Sequence, residues 1–252
     1  MPYAKNGEIN IYYEVEGEGP PLVIQHGFGG DLESWRTMGY VNELDNSYQL
    51  ILVDARGHGK SDKPHEVDAY DSEKRAGDVI AVLDASGIDK TNYFGYSMGG
   101  RMGYEIARYF PSRVNSLIIG AAPAGARGVE ENNERLAALE KGMESFAELV
   151  ERMGPLPPAM KESYLANDNK ALFAAQKAGW PNTEGYLPEM RMPFLLFVGE
   201  NDPLFSEVVA VSKILPDATI FTVPGANHME VIRNKAEIVL SHVREFLARV
   251  TK

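Results

Sequence analysis

The run Tyr93-Phe94-Gly95-Tyr96-Ser97-Met98-Gly99-Gly100 sets a serine between glycines two places before it and two places after it. A hydroxyl carried on a sharp strand-to-helix turn needs a strained backbone angle, and its neighbours must be nearly free of side chains. Such a turn lifts the Ser97 hydroxyl above the carboxyl edge of a sheet. It also places it at a helix N-terminus, where free N–H groups stabilise a developing negative charge. That chemistry is acyl transfer. An ordinary glycine-rich turn would use Ser97 only as a helix cap. The apolar run before the serine and the helical pattern after it favour the nucleophile.

A serine hydroxyl is a poor nucleophile without a base, and histidine is the usual one. Five histidines are available. His242 lies inside a helical pattern, and His65 follows Lys63-Pro64 in a polar loop. His58 sits in the tight turn Arg56-Gly57-His58-Gly59, and His26 ends a strand directly before Gly27-Phe28-Gly29-Gly30. His228, in Pro224-Gly225-Ala226-Asn227-His228-Met229-Glu230, falls between the last strand-like run and the last helical one. Catalytic groups gather at the carboxyl ends of strands in open parallel sheets, so His228 is the candidate base. Asp202, in Gly199-Glu200-Asn201-Asp202-Pro203, is the candidate carboxylate that fixes the imidazole tautomer, with Glu200 as the alternative. The stretch after the preceding strand, Gly120-Ala121-Ala122-Pro123-Ala124, offers no carboxylate. Two main-chain donors are expected for an oxyanion, the N–H of Met98 and the N–H of Phe28.

These residues need a scaffold that brings strand ends together. Short, almost uncharged apolar runs recur at Leu22 to Gln25, Leu50 to Val53, Tyr93 to Tyr96, Leu117 to Ile119, Phe194 to Val198 and Thr219 to Val223. They read as strands buried on both faces. Amphipathic stretches near 72–86, 99–110, 206–215 and 230–250 alternate with them. The alternation predicts an α/β fold with a doubly wound, mostly parallel sheet. At the N-terminus, Asn6-Gly7 predicts a type I′ hairpin turn leading into a strand over residues 9–15. Residues 124–187 hold no strand-like run, carry two Glu-rich helical patterns around 130–153, and break at Pro155-Leu156-Pro157-Pro158. This reads as a helical insertion over a sheet domain formed by residues 1–123 and 188–252.

Composition narrows the partners. Acidic residues number 36 against 25 basic, a net charge of -11, which repels phosphate backbones and anionic membranes. The absence of cysteine excludes a thiol nucleophile, a disulfide framework and any thiolate metal site. The glycine-rich segments lack the spacing and lysine of a phosphate-binding loop. The expectation is a cofactor-free protein with no metal, no nucleic-acid partner and no membrane partner. Met1-Pro2-Tyr3-Ala4-Lys5 lacks a signal-peptide core, and no run reaches the ~18 apolar residues of a membrane span, so a cytoplasmic location is expected.

Taken in order, His26-Gly27-Phe28-Gly29-Gly30, Asp54-Ala55-Arg56-Gly57-His58-Gly59-Lys60-Ser61, Gly95-Tyr96-Ser97-Met98-Gly99-Gly100, Gly199-Glu200-Asn201-Asp202 and His228 resemble the α/β-hydrolase superfamily over essentially the whole chain. The resemblance implies a serine hydrolase of carboxylic esters with a Ser97, Asp202, His228 triad, and a helical cap over residues 124–187. It also implies that the turn from Asp54 to Ser61 supports the oxyanion loop, leaving Arg56 and His58 without a catalytic role. Epoxide hydrolases and haloalkane dehalogenases of similar outline place aspartate where this chain has Ser97. They commonly place proline in the loop that here reads Phe28-Gly29, so both reactions are disfavoured. Expected substrate-binding residues are Phe28, Met143, Phe146 and Trp180, with Leu149, Met153, Leu156, Met160 and Phe173 as further wall candidates. Their helical spacing equally suits a cap burying its own core. The aggregate expectation is a largely apolar pocket for a small or medium uncharged acyl group. Arg101 and Arg191 are the only obvious candidates for clamping a carboxylate, and both equally suit simple surface or salt-bridge roles. The same triad would serve a carbon–carbon bond or enol-lactone hydrolase, and the fold would also serve a non-hydrolytic small-ligand binder or receptor.

Overall fold

A computed structural model of the chain describes residues 3–127 and 133–251. Among the described residues eight strands form one sheet: β1 (Tyr3–Asn6), β2 (Ile9–Glu16), β3 (Pro21–Gln25), β4 (Gln49–Val53), β5 (Thr91–Tyr96), β6 (Val114–Gly120), β7 (Phe194–Gly199) and β8 (Ala218–Val223). Their spatial order is β1-β2-β4-β3-β5-β6-β7-β8. β1 and β2 pair antiparallel, as do β2 and β4, and every later pairing is parallel. The doubly wound α/β sheet expected from the alternating pattern is present, and all six apolar runs are strands within it. The reversal of direction about β3 sends crossovers to opposite faces and leaves the carboxyl ends of β3, β5, β6 and β7 together at one edge.

Burial explains why the central runs read so clearly. Every residue of β5 and β7 is buried, so neither strand carries a polar face to break the apolar run. β8 differs from the expectation of burial on both faces. It is the sheet edge, and only Val223 of its six residues is fully buried. The hairpin is also shifted by one residue. Asn6 pairs with Ile9, so Gly7-Glu8 forms the two-residue loop and Gly7 supplies the positive φ of 62°. Asn6 is spent elsewhere, donating through Nδ2 to Asp78 Oδ1 at 2.9 Å.

Helices cover both faces: α1 (Glu33–Thr37), α2 (Tyr40–Leu44), α3 (Ser72–Ala85), α4 (Met98–Tyr109), α9 (Phe205–Ser212), α10 (His228–Asn234) and α11 (Ala236–Val250). The final amphipathic stretch is therefore two helices, broken at Lys235. Between β6 and β7 lie α5 (Asn133–Lys141), α6 (Met143–Glu151), α7 (Pro158–Leu165) and α8 (Asn169–Ala178). They share an apolar cluster that includes Leu139, Met143, Phe146, Val150, Met160, Tyr164 and Leu172. Where this helical segment leaves and rejoins the sheet region, Arg127 and Trp180 exchange two backbone hydrogen bonds of 3.0 and 3.1 Å. Among the described residues no helix is long and apolar enough to cross a membrane.

Candidate active site

Ser97 stands between the end of β5 and the start of α4 with φ 53° and ψ −111°, a conformation that only glycine adopts without strain. Close approach on both sides explains the flanking glycines. A Cβ at Gly95 would lie 2.3 Å from the Gly99 carbonyl oxygen, and a Cβ at Gly99 would lie 2.3 Å from that of Gln25. The serine N–H is anchored by donation to the Gly120 carbonyl of β6 at 2.8 Å.

The hydroxyl faces an imidazole. Ser97 Oγ and His228 Nε2 are 3.0 Å apart, and His228 Nδ1 lies 2.8 Å from Asp202 Oδ2. Asp202 is 4% exposed, and its other oxygen accepts the Leu204 N–H at 2.9 Å. With a carboxylate on Nδ1, the proton sits on that nitrogen and Nε2 is left to accept from the serine. Two loops set this geometry. Asn201 donates from its N–H to the Ala226 carbonyl at 3.0 Å and from Nδ2 to the Gly225 carbonyl at 2.9 Å. Asn227 caps α10 in a reciprocal capping box with Glu230, which fixes His228 as the first residue of that helix. Glu200, the alternative carboxylate, turns away: it is exposed and accepts the Gly225 N–H at 3.2 Å.

Tyr96 is a residue that the sequence did not single out. Its hydroxyl donates to the His228 carbonyl at 2.5 Å, and its ring lies 5.4 Å from the imidazole. Burial holds its phenol well above the ordinary value, so it stays a neutral donor. Its position beside the serine was the only signal that could have flagged it.

The loop after β3 lies against the serine. Gly30 donates to the Gly27 carbonyl at 3.1 Å across a turn in which Gly29 has φ 79°, which brings Phe28 to the site. Met98 is the first residue of α4, so its N–H has no partner within the helix. The loop is held from below by Asp54, whose oxygens accept the N–H groups of Leu32 and Lys60, both at 2.8 Å. His26 Nε2 accepts from the Ala55 N–H at 3.1 Å. Arg56 is committed to a buried ion pair with Asp78, and His58 is fully buried with Nδ1 on the Arg56 carbonyl at 3.1 Å. Burial pulls His58 down to about 3, so it is neutral at ordinary pH. From the other side, α7 and the turn that follows it hold the same loop. Asn167 Nδ2 donates to the Gly29 carbonyl at 2.8 Å, Tyr164 Oη to that of Phe28 at 3.3 Å, and Ser163 Oγ to Asp31 Oδ2 at 2.5 Å.

A cavity with two arms meets at Ser97 and His228. One arm is mostly apolar, lined by Trp35, Met38, Phe146, Val150 and Met160, with Arg233 also at its wall. The other is lined by Arg75, Arg101, Arg127, Arg135, Gln176 and Trp180. Phe28, Arg135 and Met153 border both. The apolar lining read from the sequence thus describes one arm. Of the expected substrate-binding residues, Phe28, Phe146 and Trp180 line the cavity, whereas Met143 turns into the apolar cluster of α5–α8, as does Leu156. Phe173 packs at the border of that cluster, and Leu149 faces a separate recess beside α5 and α6. Helical spacing alone could not tell the face of α5–α8 that packs on itself from the face toward Ser97. Arg101 lines the cationic arm and donates to the Gly125 carbonyl at 2.9 Å, while Arg191 is exposed and away from it. Among the described residues no cluster of His, Cys, Asp or Glu could hold a metal ion.

A family model described as alpha/beta hydrolase fold matches residues 20–170, more than half of the chain. The chain belongs to that family. This α/β-hydrolase is 29% identical over 248 residues to the Bacillus subtilis protein named "Putative 2-succinyl-6-hydroxy-2,4-cyclohexadiene-1-carboxylate synthase", covering 86% of this chain and 88% of that protein. Among solved structures it resembles a thermophilic esterase from Thermogutta terrifontis, with a TM-score of 0.85 and 25% identity over 99% of this chain and 97% of the other. An enol-lactonase from Burkholderia xenovorans gives a TM-score of 0.87 at 23% identity, covering 98% and 100%, and shares the fold.

Proposed function

We propose that this α/β-hydrolase cleaves carboxylic esters through an acyl-enzyme on Ser97. The observation that carries this reading is the unbroken hydrogen-bond relay from Asp202 through His228 to a serine held on a strained turn inside a cavity. In the first half-reaction Ser97 Oγ attacks the ester carbonyl while His228 Nε2 takes its proton. Asp202 stabilises the imidazolium through the Nδ1–H bond. The oxyanion forms between the N–H groups of Met98 and Phe28, each worth about 3 kcal/mol of transition-state stabilisation. His228 then protonates the departing alcohol. Water then attacks the acyl carbon while His228 takes its proton, and His228 returns that proton to Ser97 Oγ as the acyl–oxygen bond breaks and the acid leaves. The likeness to an esterase that aligns over nearly its whole length supports the ester bond. The intact relay supports turnover over mere retention of a ligand.

The test is initial-rate hydrolysis of p-nitrophenyl esters from acetate to longer acyl chains, by the native protein beside Ser97→Ala. Loss of nearly all activity in the variant is the expected result, and the chain-length profile sizes the apolar arm. Equal rates in both proteins would remove Ser97 from the mechanism. A native protein inert on every ester would move the reading to the carbon–carbon or enol-lactone bonds that the same relay can serve.

A further inference from the structure

The cationic arm is unusual for a chain whose net charge is -11. Four arginines line it, and no aspartate or glutamate does among the described residues. Two of the four are accounted for by the protein itself: Arg127 pairs with Glu207 at 2.5 Å, and Arg101 holds the Gly125 carbonyl. The other two are not. Arg135 reaches in from α5, its guanidinium carbon 5.2 Å from the centre of the Phe28 ring, and donates Nη1 to the neutral Gln176 Oε1 at 3.1 Å. No carboxylate among the described residues lies within ion-pair distance of it. Arg75 reaches in from α3, stacked 3.7 Å above the Trp180 ring, with Nη2 on the Gly179 carbonyl at 2.7 Å. Its Nε is buried without an acceptor, and it too forms no ion pair among the described residues.

Glu105, Asp71 and Asp78 act on Arg75 from beyond ion-pair distance, and no carboxylate among the described residues acts on Arg135. A buried guanidinium with no ion-pair partner costs several kcal/mol, and a donor left unmade adds to that cost. Burial lowers both guanidinium groups, Arg75 to about 9, yet both remain protonated at neutral pH. Phe28 and Trp180 supply π-faces against which the cations lie. The missing component is an acceptor. Arg75 also lines an outer recess with Gly179 and Trp180, but the cavity that contains Ser97 is the space that Arg75 and Arg135 share, and an acceptor for both would enter there.

We propose that the second arm is an anion site, in which Arg135 and Arg75 bind a carboxylate carried by the ester that Ser97 cleaves. This rests on the ester reading for the reaction and deepens it by naming the substrate class: a molecule with an apolar part for one arm and a carboxylate for the other. A carboxylate suits a planar guanidinium fork, and the cavity screens the pair from solvent. The charge can stand on the acid side of the ester or on the alcohol side, because both arms meet at the serine.

Matched substrates separate these cases. p-Nitrophenyl hydrogen glutarate and p-nitrophenyl valerate have acyl chains of equal length that differ in a terminal carboxylate. The butyrate ester of 3-hydroxybenzoate and phenyl butyrate differ in the same way on the alcohol side. One acidic ester is expected to exceed its neutral partner in kcat/KM by about tenfold or more, and which one does so assigns the side. In Arg135→Gln that ratio falls by about tenfold or more. Calorimetric titration of glutarate into the native protein and Arg135→Gln reads the site without any turnover, and binding is expected only in the native protein. Valerate cleaved with no acidic preference and no glutarate bound overturns the anion site and leaves the ester reading standing. Glutarate bound through Arg135 with no ester cleaved does the reverse. An equal ratio in the native protein and an Arg135→Gln variant of unchanged melting temperature also overturns the proposal.

Discussion

The backbone at residue 97 makes a prediction about stability that bears directly on chemistry. At φ 53° and ψ −111° a residue with a Cβ is strained by about 1–3 kcal/mol. Ser97→Ala removes the hydroxyl and keeps the Cβ, so it keeps the strain. Ser97→Gly removes both. Against the relief stand the greater freedom of glycine in the unfolded chain, about 0.4–1 kcal/mol, and the lost contacts of one half-buried carbon, at most about 0.8 kcal/mol. Ser97→Gly is therefore expected to be more stable than Ser97→Ala by about 1 kcal/mol, or roughly 2–4 °C in melting temperature for a chain of this size. Differential scanning calorimetry of the two variants in one buffer measures the difference free of any contribution from the serine hydroxyl. A glycine variant that melts at or below the alanine variant would show that the turn stores no strain, and the account of how the serine is presented would fail.

Other consequences are sharper in activity. Asp202→Asn keeps the shape of the relay but can present its amide N–H to His228 Nδ1 and favour the wrong tautomer, so kcat for a p-nitrophenyl ester is expected to fall about 10⁴-fold; a loss under tenfold would remove Asp202 from the relay. Asn167→Ala frees the Gly29 carbonyl and loosens the Phe28 N–H, and kcat is expected to fall roughly tenfold with KM little changed, less than the ~10²-fold cost of losing a donor outright. A KM effect alone would assign Asn167 to the pocket wall instead. His58 supplies a pH prediction. Its folded value of about 3 lies below the ~6.5 of an unfolded histidine, so only the unfolded chain takes up this proton between those values. Stability from this group is complete above about pH 6.5 and falls as the pH drops, by about 2 kcal/mol between pH 7 and pH 5. Urea melts at the two pH values should show a smaller drop in His58→Phe than in the native protein by about that amount, and an equal drop would exclude His58 as the source.

The sheet and the relay were legible for the same reason. Parallel strands buried on both faces leave apolar runs with no polar alternation, and the loops at their carboxyl ends carry Ser97, Asp202 and His228 within a few residues of each run. α1 and α2 were not legible, because five residues are too few to establish a helical period. α8 did leave marks: Asp168 caps its first turn by accepting from the Lys170 and Ala171 N–H groups, and Gly179 follows its last residue. The cationic arm was hidden by distance along the chain. Arg75 and Arg135 each look like the polar face of an amphipathic helix, and only the packing of α5 and α8 over the sheet turns them toward one cavity. Met143 failed in the opposite sense, since an apolar residue on a cap helix has two apolar surroundings to choose from.

The paired backbones of Arg127 and Trp180 tie the helical segment shut where it meets the sheet, and Thr183 adds a third bond to the Ala124 carbonyl at 2.9 Å. A loop already closed at its base is insensitive to what lies beyond: each doubling of its length adds only about 0.6 kcal/mol of closure entropy. Helices can be lengthened, lost or replaced above that neck without moving the strand ends that carry Ser97, Asp202 and His228. Descendants of such a gene can therefore change the molecule they recognise by insertion and deletion, mutational steps that would be ruinous almost anywhere else in the sheet.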